Sequence, residues 1–379
     1  MKHYDVVIVG GGPSGGMALY RLAKCGLKVA LLERYILPRK KPCAGGLVKR
    51  AIDSLPFSIE DVYERHCNTV DVQYDKGKII RVNASYPIII TIKRDEFDLR
   101  IVSEAQRQGA HIYEGHRVED IRILRDHVKI QTDKEIFSCR FLIGADGALS
   151  LTRRKAGLHE NRAFFPALVC HIEIRDRIKR LYEDRAVFDF YSAPYGYGWI
   201  FPKKDHLSVG LGVFRMRAVG LKDKLEQFIG RRGLLNGRCR WMKGAVLPIL
   251  STRAEVIKNR VLFVGDAAGL VDPVVGEGIS LALRSGLIAA DAIVKGEMEE
   301  EAVGYTYRRD FQQKILSQLK GGLAVSKLIY KSHIFFRFLM NLWGKELIWR
   351  LLGIFKGRSD YIQEFFNLRA FTSLLFKVK

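Results

Sequence analysis

Acidic residues are scarce in this chain: 41 Asp and Glu stand against 63 Lys and Arg, so 379 residues carry a formal net charge of +22. Cysteine is sparse and dispersed, at Cys25, Cys43, Cys67, Cys139, Cys170 and Cys239, with no Cys-x-x-Cys spacing. Neither a metal site nor a disulfide framework is therefore expected, and a reducing cytoplasm is. No apolar run reaches 18 residues, which excludes a bilayer-spanning helix. The first strand is expected to begin by Tyr4, leaving no room for a signal peptide. Internal repeats and low-complexity tracts are absent, and a hydrophobic content of 48% excludes disorder. The length suffices for two or three core-forming units.

What is present is glycine in telling places. Val6 to Gly15 reads V-V-I-V-G-G-G-P-S-G, an apolar run of strand length ending in Gly10-x-Gly12-x-x-Gly15, and Glu33 closes the next apolar run. Gly10 permits a sharp turn, Gly12 a close backbone approach by a pyrophosphate, and Gly15 tight packing of helix on strand. Ser14 lies in the same loop, and the helix N-terminus behind it faces the anion. An acid about 20 residues after such a loop accepts hydrogen bonds from ribose hydroxyls. The pattern predicts a dinucleotide site.

Two further strands end in the same way. Phe141 to Gly147 closes on Asp146-Gly147, and Val261 to Gly269 contains Gly265-Asp266. Pro273, Gly276, Glu277, Gly278 and Ile279 then open an apolar segment running to Ala290. Together with the first loop these resemble the three flavin fingerprints of the para-hydroxybenzoate-hydroxylase-like FAD superfamily. The resemblance implies that Asp266 bonds the ribityl chain of FAD. It also implies that Gly276 and Gly278 bring backbone N–H groups to the flavin, with the dipole of the helix from Ile279 stabilising negative charge on it.

Lys41-Pro42-Cys43-Ala44-Gly45-Gly46 and Tyr197-x-Trp199-x-Phe201-Pro202-Lys203, with Gly210 beyond, are similar to segments of geranylgeranyl reductase-like flavoproteins. This resemblance spans roughly residues 1 to 300. It implies that Cys43, Ala44 and Gly46 lie at the cofactor. Ala44 departs from the glycine of many relatives, which restricts its backbone. The resemblance also implies that Arg94, in Arg94-Asp-Glu-Phe-Asp98, contacts FAD and that the backbone at Val118 meets the adenine. Without it, Arg94 reads as an ordinary helix-start arginine. The aromatic motif is similar as well to the Trp-x-Trp-x-Ile-Pro of flavin halogenases, with Tyr197 and Phe201 replacing Trp and Ile.

From Phe165 to Phe214 the pattern has period two, in Ala186–Tyr191, Tyr197–Phe201 and Leu207–Phe214, which predicts an antiparallel sheet. Tyr197, Trp199 and Phe201 share one of its faces. Such a stripe fills a core or, on the family pattern, lines an apolar tunnel over a flavin. A helix is predicted from Arg94 to Gly109, followed by a strand from Ala110 to Tyr113.

Ten of the 22 excess positive charges fall from Gly304 onward, where 14 Lys and Arg face four Asp and Glu. There Leu328, Ile334, Phe335, Phe338, Leu342, Trp343 and Trp349 alternate with Lys327, Lys331, Arg337, Lys345, Arg350 and Lys356. The pattern suits either a helix lying in an anionic membrane interface or one packed on the protein's own core with a basic face in solvent. No nucleic-acid recognition motif accompanies the charge.

The expected fold is α/β: a discontinuous Rossmann-like FAD domain (1–70, 94–160, 255–300), an inserted antiparallel-sheet substrate domain (71–93, 161–254) and a basic amphipathic helical region (301–379). The resemblance implies flavin-dependent saturation of isolated C=C bonds in a polyprenyl lipid. Hydride delivery to such a bond must be matched by a proton, so a dry pocket and a positioned acid are needed. Cys43, Tyr197 and Trp199 are the candidate catalytic residues. Cys43 is either the acid or a small residue chosen for fit, and Tyr197 bonds or only packs. No second nucleotide fingerprint is visible, so the reductant is NAD(P)H docking transiently or a reduced protein carrier. The expected location is the cytoplasm, peripheral on the inner membrane face. An FAD monooxygenase or halogenase is the alternative; a halogenase would carry both tryptophans, and the first is missing.

Overall fold

The structure, a computed structural model, describes residues 1–366 apart from 159, 161, 194, 215–218 and 252–254. The last residues of the expected C-terminal region, 367–379, and the side chain of Lys331 lie outside what is described. The chain forms two compact units, each assembled from separated segments. One comprises Met1–Lys41, Arg94–Ala163 and Leu247–Ser317; the other comprises Pro42–Lys93, Phe164–Val246 and the residues from Gln318. The first break thus falls at residue 41, where the sequence had placed it at 70. The reason is a three-stranded sheet of Gly46–Val48, Ile89–Ile92 and Tyr63–Cys67, which ties 42–70 to the second unit through Ile89–Ile92. The last helical region divides at Ser317 rather than forming a unit of its own.

The first unit is built on an eight-stranded sheet. Lys2–Val9 sits at its centre, parallel to Ile136–Gly144 on one side and Val29–Glu33 on the other. His111–Glu114 and Val261–Phe263 extend the parallel array outward. Central parallel strands are covered on both faces, so they read as unbroken apolar runs, and Val6, Val7 and Ile8 are fully buried. Helix Pro13–Lys24 packs on strands Lys2–Val9 and Val29–Glu33 and against helices Arg94–Arg107 and Ile279–Lys295. The Gly16 position explains one approach: a Cβ there would lie 2.7 Å from Ile101 Cγ2.

The second unit holds most of a seven-stranded sheet in which Leu207–Val213, Gly196–Pro202 and Arg185–Asp189 are antiparallel neighbours. Its departure from the expected antiparallel pattern is the parallel pairing of Arg185–Asp189 with Thr69–Asp75. Gly198 and Ile200 turn to a core that includes Val187, Val209, Leu211 and Phe228. Helix His333–Phe355 packs on the outer strands of this sheet, Gly344 lying against Ile80.

Candidate functional site

In the first unit, the glycines after strand Lys2–Val9 are of two kinds. Gly10 has φ +104°, and a Cβ there would fall 2.5 Å from the Ala145 carbonyl oxygen; at Gly15 it would fall 2.0 Å from the Gly10 carbonyl oxygen. These two are dictated by backbone packing. Gly12 caps helix Pro13–Lys24, and a Cβ there would meet only a terminal nitrogen of Arg39, at 3.9 Å. The space before it is open, and the N–H groups of the first turn have no intrahelical acceptors. That combination fits a pyrophosphate.

Glu33 is buried at the end of its strand. Its Oε2 accepts the Gly11 N–H at 2.8 Å and its Oε1 the Tyr35 N–H at 3.1 Å. Arg39 Nε stands 3.4 Å from Glu33 Oε2 and donates from Nη1 to Asp98 at 3.0 Å. Asp98 also takes both Nε and Nη2 of Arg94, each at 3.0 Å. Glu33, Arg39, Asp98 and Arg94 are thus one charged network beside the glycine loop. Sequence reasoning named Glu33 and Arg94 and missed the other two. Asp98 follows Arg94 by one helical turn, a spacing that could have found it; Arg39 lies in a loop without a pattern. Val118 opens strand Val118–Ile123, buried.

The distant Gly-Asp stretch is brought to the same place. A Cβ at Gly265 would lie 2.6 Å from Ser14 Oγ, and one at Gly286 would lie 2.2 Å from the Ser14 carbonyl oxygen. Arg162 donates to the carbonyl oxygens of Asp266 and Ala267 at 3.0 and 3.2 Å and so holds the turn from behind. The Asp266 carboxylate remains partly exposed, 3.7 Å from Lys41 Nζ, and Gly278 lies beside it. Gly278 is the N-cap of helix Ile279–Lys295. One expectation is corrected: the N–H of Gly276 donates to the Asp272 carbonyl at 2.9 Å and is consumed by the loop, so Gly278 and Ile279 alone open the helix. Asp146 also proves internal, accepting from the Thr152 N–H and hydroxyl at 2.9 and 2.7 Å. An open glycine turn, two helix N-termini and acceptors at Glu33 and Asp266 fit the parts of FAD.

In the second unit, the Cys43 loop is defined by Gly45. Its φ is +66°, and a Cβ there would fall 2.2 Å from the Ile92 carbonyl oxygen. Ala44 does not need positive φ, so its difference from glycine leaves the turn intact. The Cys43 Sγ accepts the Gly45 N–H at 3.3 Å. Lys203, 3% exposed, donates to the carbonyls of Gly45 at 2.9 Å and Ile92 at 2.7 Å. Burial pushes its ammonium down to about 8. Lys203 is therefore the clamp of the Cys43 loop, a role its place in the aromatic motif did not reveal.

Strand Gly196–Pro202 presents Tyr197, Trp199 and Phe201 on one face. The Trp199 ring lies over its cross-strand neighbour Gly210, where a Cβ would come within 2.0 Å, and its buried Nε1 has no hydrogen-bond partner among the described residues. The Phe201 ring covers Gly46 in the same way, at 2.6 Å. Phe188 joins Tyr197 and Phe201, with ring centres 5.8 and 5.5 Å away.

Of the C-terminal apolar residues, Phe336, Met340, Ile348 and Leu352 are buried, whereas Ile334, Phe335, Phe338 and Leu342 are exposed. Several cations there have partners within the chain, Arg337 on Asp75 and Lys356 over the Tyr86 ring. Among the described residues no helix is long and apolar enough to cross a membrane, and no cluster of metal-ligating side chains occurs.

Comparison with known proteins agrees with this geometry. Residues 3–209 match the family model described as an FAD binding domain. An uncharacterized protein of Methanosarcina barkeri is 32% identical over 335 residues, 87% of this chain and 84% of that one. A digeranylgeranylglycerophospholipid reductase of Methanothermobacter thermautotrophicus is 30% identical over 346 residues, 86% of this chain and 88% of that one. The crystal structure of a geranylgeranyl bacteriochlorophyll reductase-like protein from Thermoplasma acidophilum superposes with a TM-score of 0.80 at 22% identity, covering 100% of this chain and 96% of that one. The chain belongs to the geranylgeranyl reductase family of FAD-dependent oxidoreductases.

Proposed function

We propose that this protein saturates isolated C=C bonds of a polyprenyl lipid. The observation that carries the reading is the row of rings on strand Gly196–Pro202, which begins against the Gly46 end of the Cys43 loop. A prenyl chain has no polar handle along its length, so its register over a reacting centre must be set by apolar walls. The Gly12 turn, Glu33 and Asp266 would hold FAD, which in its reduced form would supply the hydride. The chain's own residues do the rest: Trp199, Tyr197 and Phe201 exclude water and orient the alkene, and Cys43 delivers the proton from Sγ. Lys203 fixes the loop that carries the thiol. The electrons arrive from NAD(P)H or a reduced protein carrier.

Anaerobic incubation of dithionite-reduced protein with prenyl diphosphates, alcohols and glycerophospholipids tests this. Products heavier by pairs of hydrogens are expected from the wild type and none from Cys43→Ala, which should still bind FAD. Near-normal reduction by Cys43→Ala would remove the acid role from Cys43; the absence of any mass change would overturn the reading.

The same reading places the protein at the inner membrane surface. Ile334, Phe335, Phe338 and Leu342 expose apolar side chains, with Lys327 and Lys345 exposed nearby on the chain. Co-sedimentation with vesicles containing anionic lipid, lost in Phe338→Asp/Leu342→Asp, is the expected result; equal sedimentation of both proteins would contradict it.

A further inference from the structure

The aromatic row does not stop at strand Gly196–Pro202. From Phe201 it passes to Phe188 (5.5 Å between ring centres), Tyr197 (5.8 Å), Phe190 (5.4 Å) and Phe336 (5.2 Å). One end therefore lies by the Cys43 loop, and the other reaches helix His333–Phe355 within the same unit. On that helix His333 and Arg337 flank the Phe336 level and lie one turn apart. Together with Tyr74, Tyr191 and Arg231 they line a cavity of about 300 Å³.

The lining is unlike the row that leads to it. Arg231 holds its guanidinium over the Tyr191 ring, 5.5 Å from its centre. Arg337 pairs through Nη2 with Asp75 at 3.1 Å, while its buried Nε has no hydrogen-bond partner among the described residues. His333 accepts the Tyr195 N–H through Nε2 at 3.0 Å, which puts its own proton on Nδ1. Burial and Arg337 both hold His333 below its ordinary value, so it is a neutral donor. Asp75 is the one carboxylate that pairs with these groups among the described residues. Against it stand two guanidiniums: Arg231, which can grip an oxyanion with two N–H groups, and Arg337, which adds the N–H groups that Asp75 leaves.

We infer that this cavity is the headgroup site of the substrate, taking the phosphate or diphosphate at the polar end of a prenyl chain whose tail lies along the aromatic row toward Cys43. The inference rests on the polyprenyl reading above and adds what that reading lacks, an anchor at the far end of the row. An anchored head measures the chain, so it selects which double bond meets the reacting centre.

The test uses the FAD-loaded protein, inorganic pyrophosphate and three substrates: geranylgeranyl diphosphate, geranylgeraniol, and a digeranylgeranylglycerophospholipid in mixed micelles. Pyrophosphate should bind the wild type and compete with the charged substrates. Arg231→Gln and Arg337→Gln should each weaken that binding about tenfold or more, as expected for a lost charge-assisted bond, with Arg231→Glu weaker still. The ratio of KM for a charged substrate to KM for geranylgeraniol should rise by a similar factor. Arg337→Gln gives up the pair with Asp75 and can lose the fold. Arg231 is exposed and forms no ion pair among the described residues, so its variants decide the matter alone. A rise confined to the glycerophospholipid assigns the site to a lipid headgroup, and one confined to the diphosphate assigns it to a free prenyl diphosphate. Pyrophosphate affinity unchanged in the Arg231 variants, or KM rising equally for charged and uncharged substrates, overturns the site. Prenyl reduction without Arg231-dependent anion binding would leave the reductase reading standing and remove the headgroup site. Arg231-dependent pyrophosphate binding with no prenyl reduction would remove the reductase reading and the prenyl occupant with it, and leave an anion site of another ligand.

Discussion

In the first unit the decisive positions are largely those where a side chain is missing; in the second they are those where a large one is present. Gly10, Gly15 and Gly265 mark places where backbone meets backbone or side chain too closely for a Cβ, and Gly12 marks one kept open. Gly46 and Gly210 in the second unit are subordinate to something else, making room for Phe201 and Trp199, while Gly45 is set by its positive φ and the Ile92 carbonyl. A dinucleotide is gripped by main-chain N–H groups, which any sequence has, so its recognition is written in where side chains must be absent. A prenyl chain offers no hydrogen bond, so its recognition is written in surface shape. Both are gathered from separated segments, but the first is announced by local glycine turns and the second by side chains on several strands and a helix.

The comparison is most severely tested at Gly15 and Gly12. Gly15→Ala puts a methyl 2.0 Å from a backbone oxygen that has nowhere to go. The strain should meet or exceed the ~1–3 kcal/mol usual for overpacking, and no flavin-loaded protein is expected. Gly12→Ala should fold with a near-normal melting temperature yet hold FAD less tightly, because its methyl intrudes only on ligand space. Flavin content per polypeptide and thermal melts of both variants decide it; a flavin-replete Gly15→Ala would break the distinction.

In the second unit the corresponding lesion is Trp199→Ala. It empties the volume over Gly210, and a buried Trp-to-Ala change costs about 3–5 kcal/mol. Turnover of long prenyl substrates should fall while the bound-flavin spectrum stays the same. Gly210→Ala should also destabilise, by collision with the ring, and Trp199→Phe should relieve part of it in the double variant. Loss of flavin from Trp199→Ala in protein that remains folded would mean that the units do not divide the labour as argued.

Lys203 gives the next effect, and its sign follows from burial. Its folded value of about 8 lies below the ordinary 10.5. Below pH 8 both states carry the proton and the full cost of burying the charge is present. Between pH 8 and 10.5 the unfolded chain still holds a proton that the folded one has released, so stability should rise with pH, by up to about 3 kcal/mol across the window. Urea unfolding of Lys203→Met should lack that rise. It should also show a less specific Cys43 loop, since the carbonyls of Gly45 and Ile92 lose their donor. Parallel pH profiles for wild type and variant would remove the buried charge from the account.

How much of this was legible in the sequence follows the same division. The strand–turn–helix at Val6–Lys24, the helix from Arg94 and the strand Gly196–Pro202 were visible because period and glycine spacing are local signals. The boundary at residue 41 was not, because it depends on Ile89–Ile92 pairing with Gly46–Val48 and Tyr63–Cys67, both remote in sequence. Arg39 was missed because it lies in a loop without a pattern, and Arg162 because it acts on a turn about a hundred residues away. Asp146, like Asp266, follows the end of a parallel strand, but Ser150 and Thr152 occupy its carboxylate, a difference that the local sequence does not show. The C-terminal helix was half legible. Alternating apolar and basic residues revealed two faces, and only the fold shows that one is taken by the sheet and that Arg337 and Lys356 are engaged within the chain.

Asp266 supplies the smallest and most selective test, because its side chain and its backbone do separate jobs. The turn is held by Arg162 through two carbonyls and by Ser285, whose Oγ accepts the Gly265 N–H at 3.0 Å. None of these uses the Asp266 carboxylate, which faces outward near Lys41 and Gly278. Asp266→Ala should therefore leave the FAD-free melting temperature almost unchanged, as surface substitutions do, and weaken FAD by about 1.5–3 kcal/mol, roughly ten- to a hundredfold. Arg162→Ala should lower both, since it releases the turn itself. Ultrafiltration of apoprotein with graded FAD, beside thermal melts without it, separates the two. If Asp266→Ala binds FAD like the wild type, the exposed carboxylate has no part in the cofactor site and the glycine turn and helix ends hold the flavin by themselves.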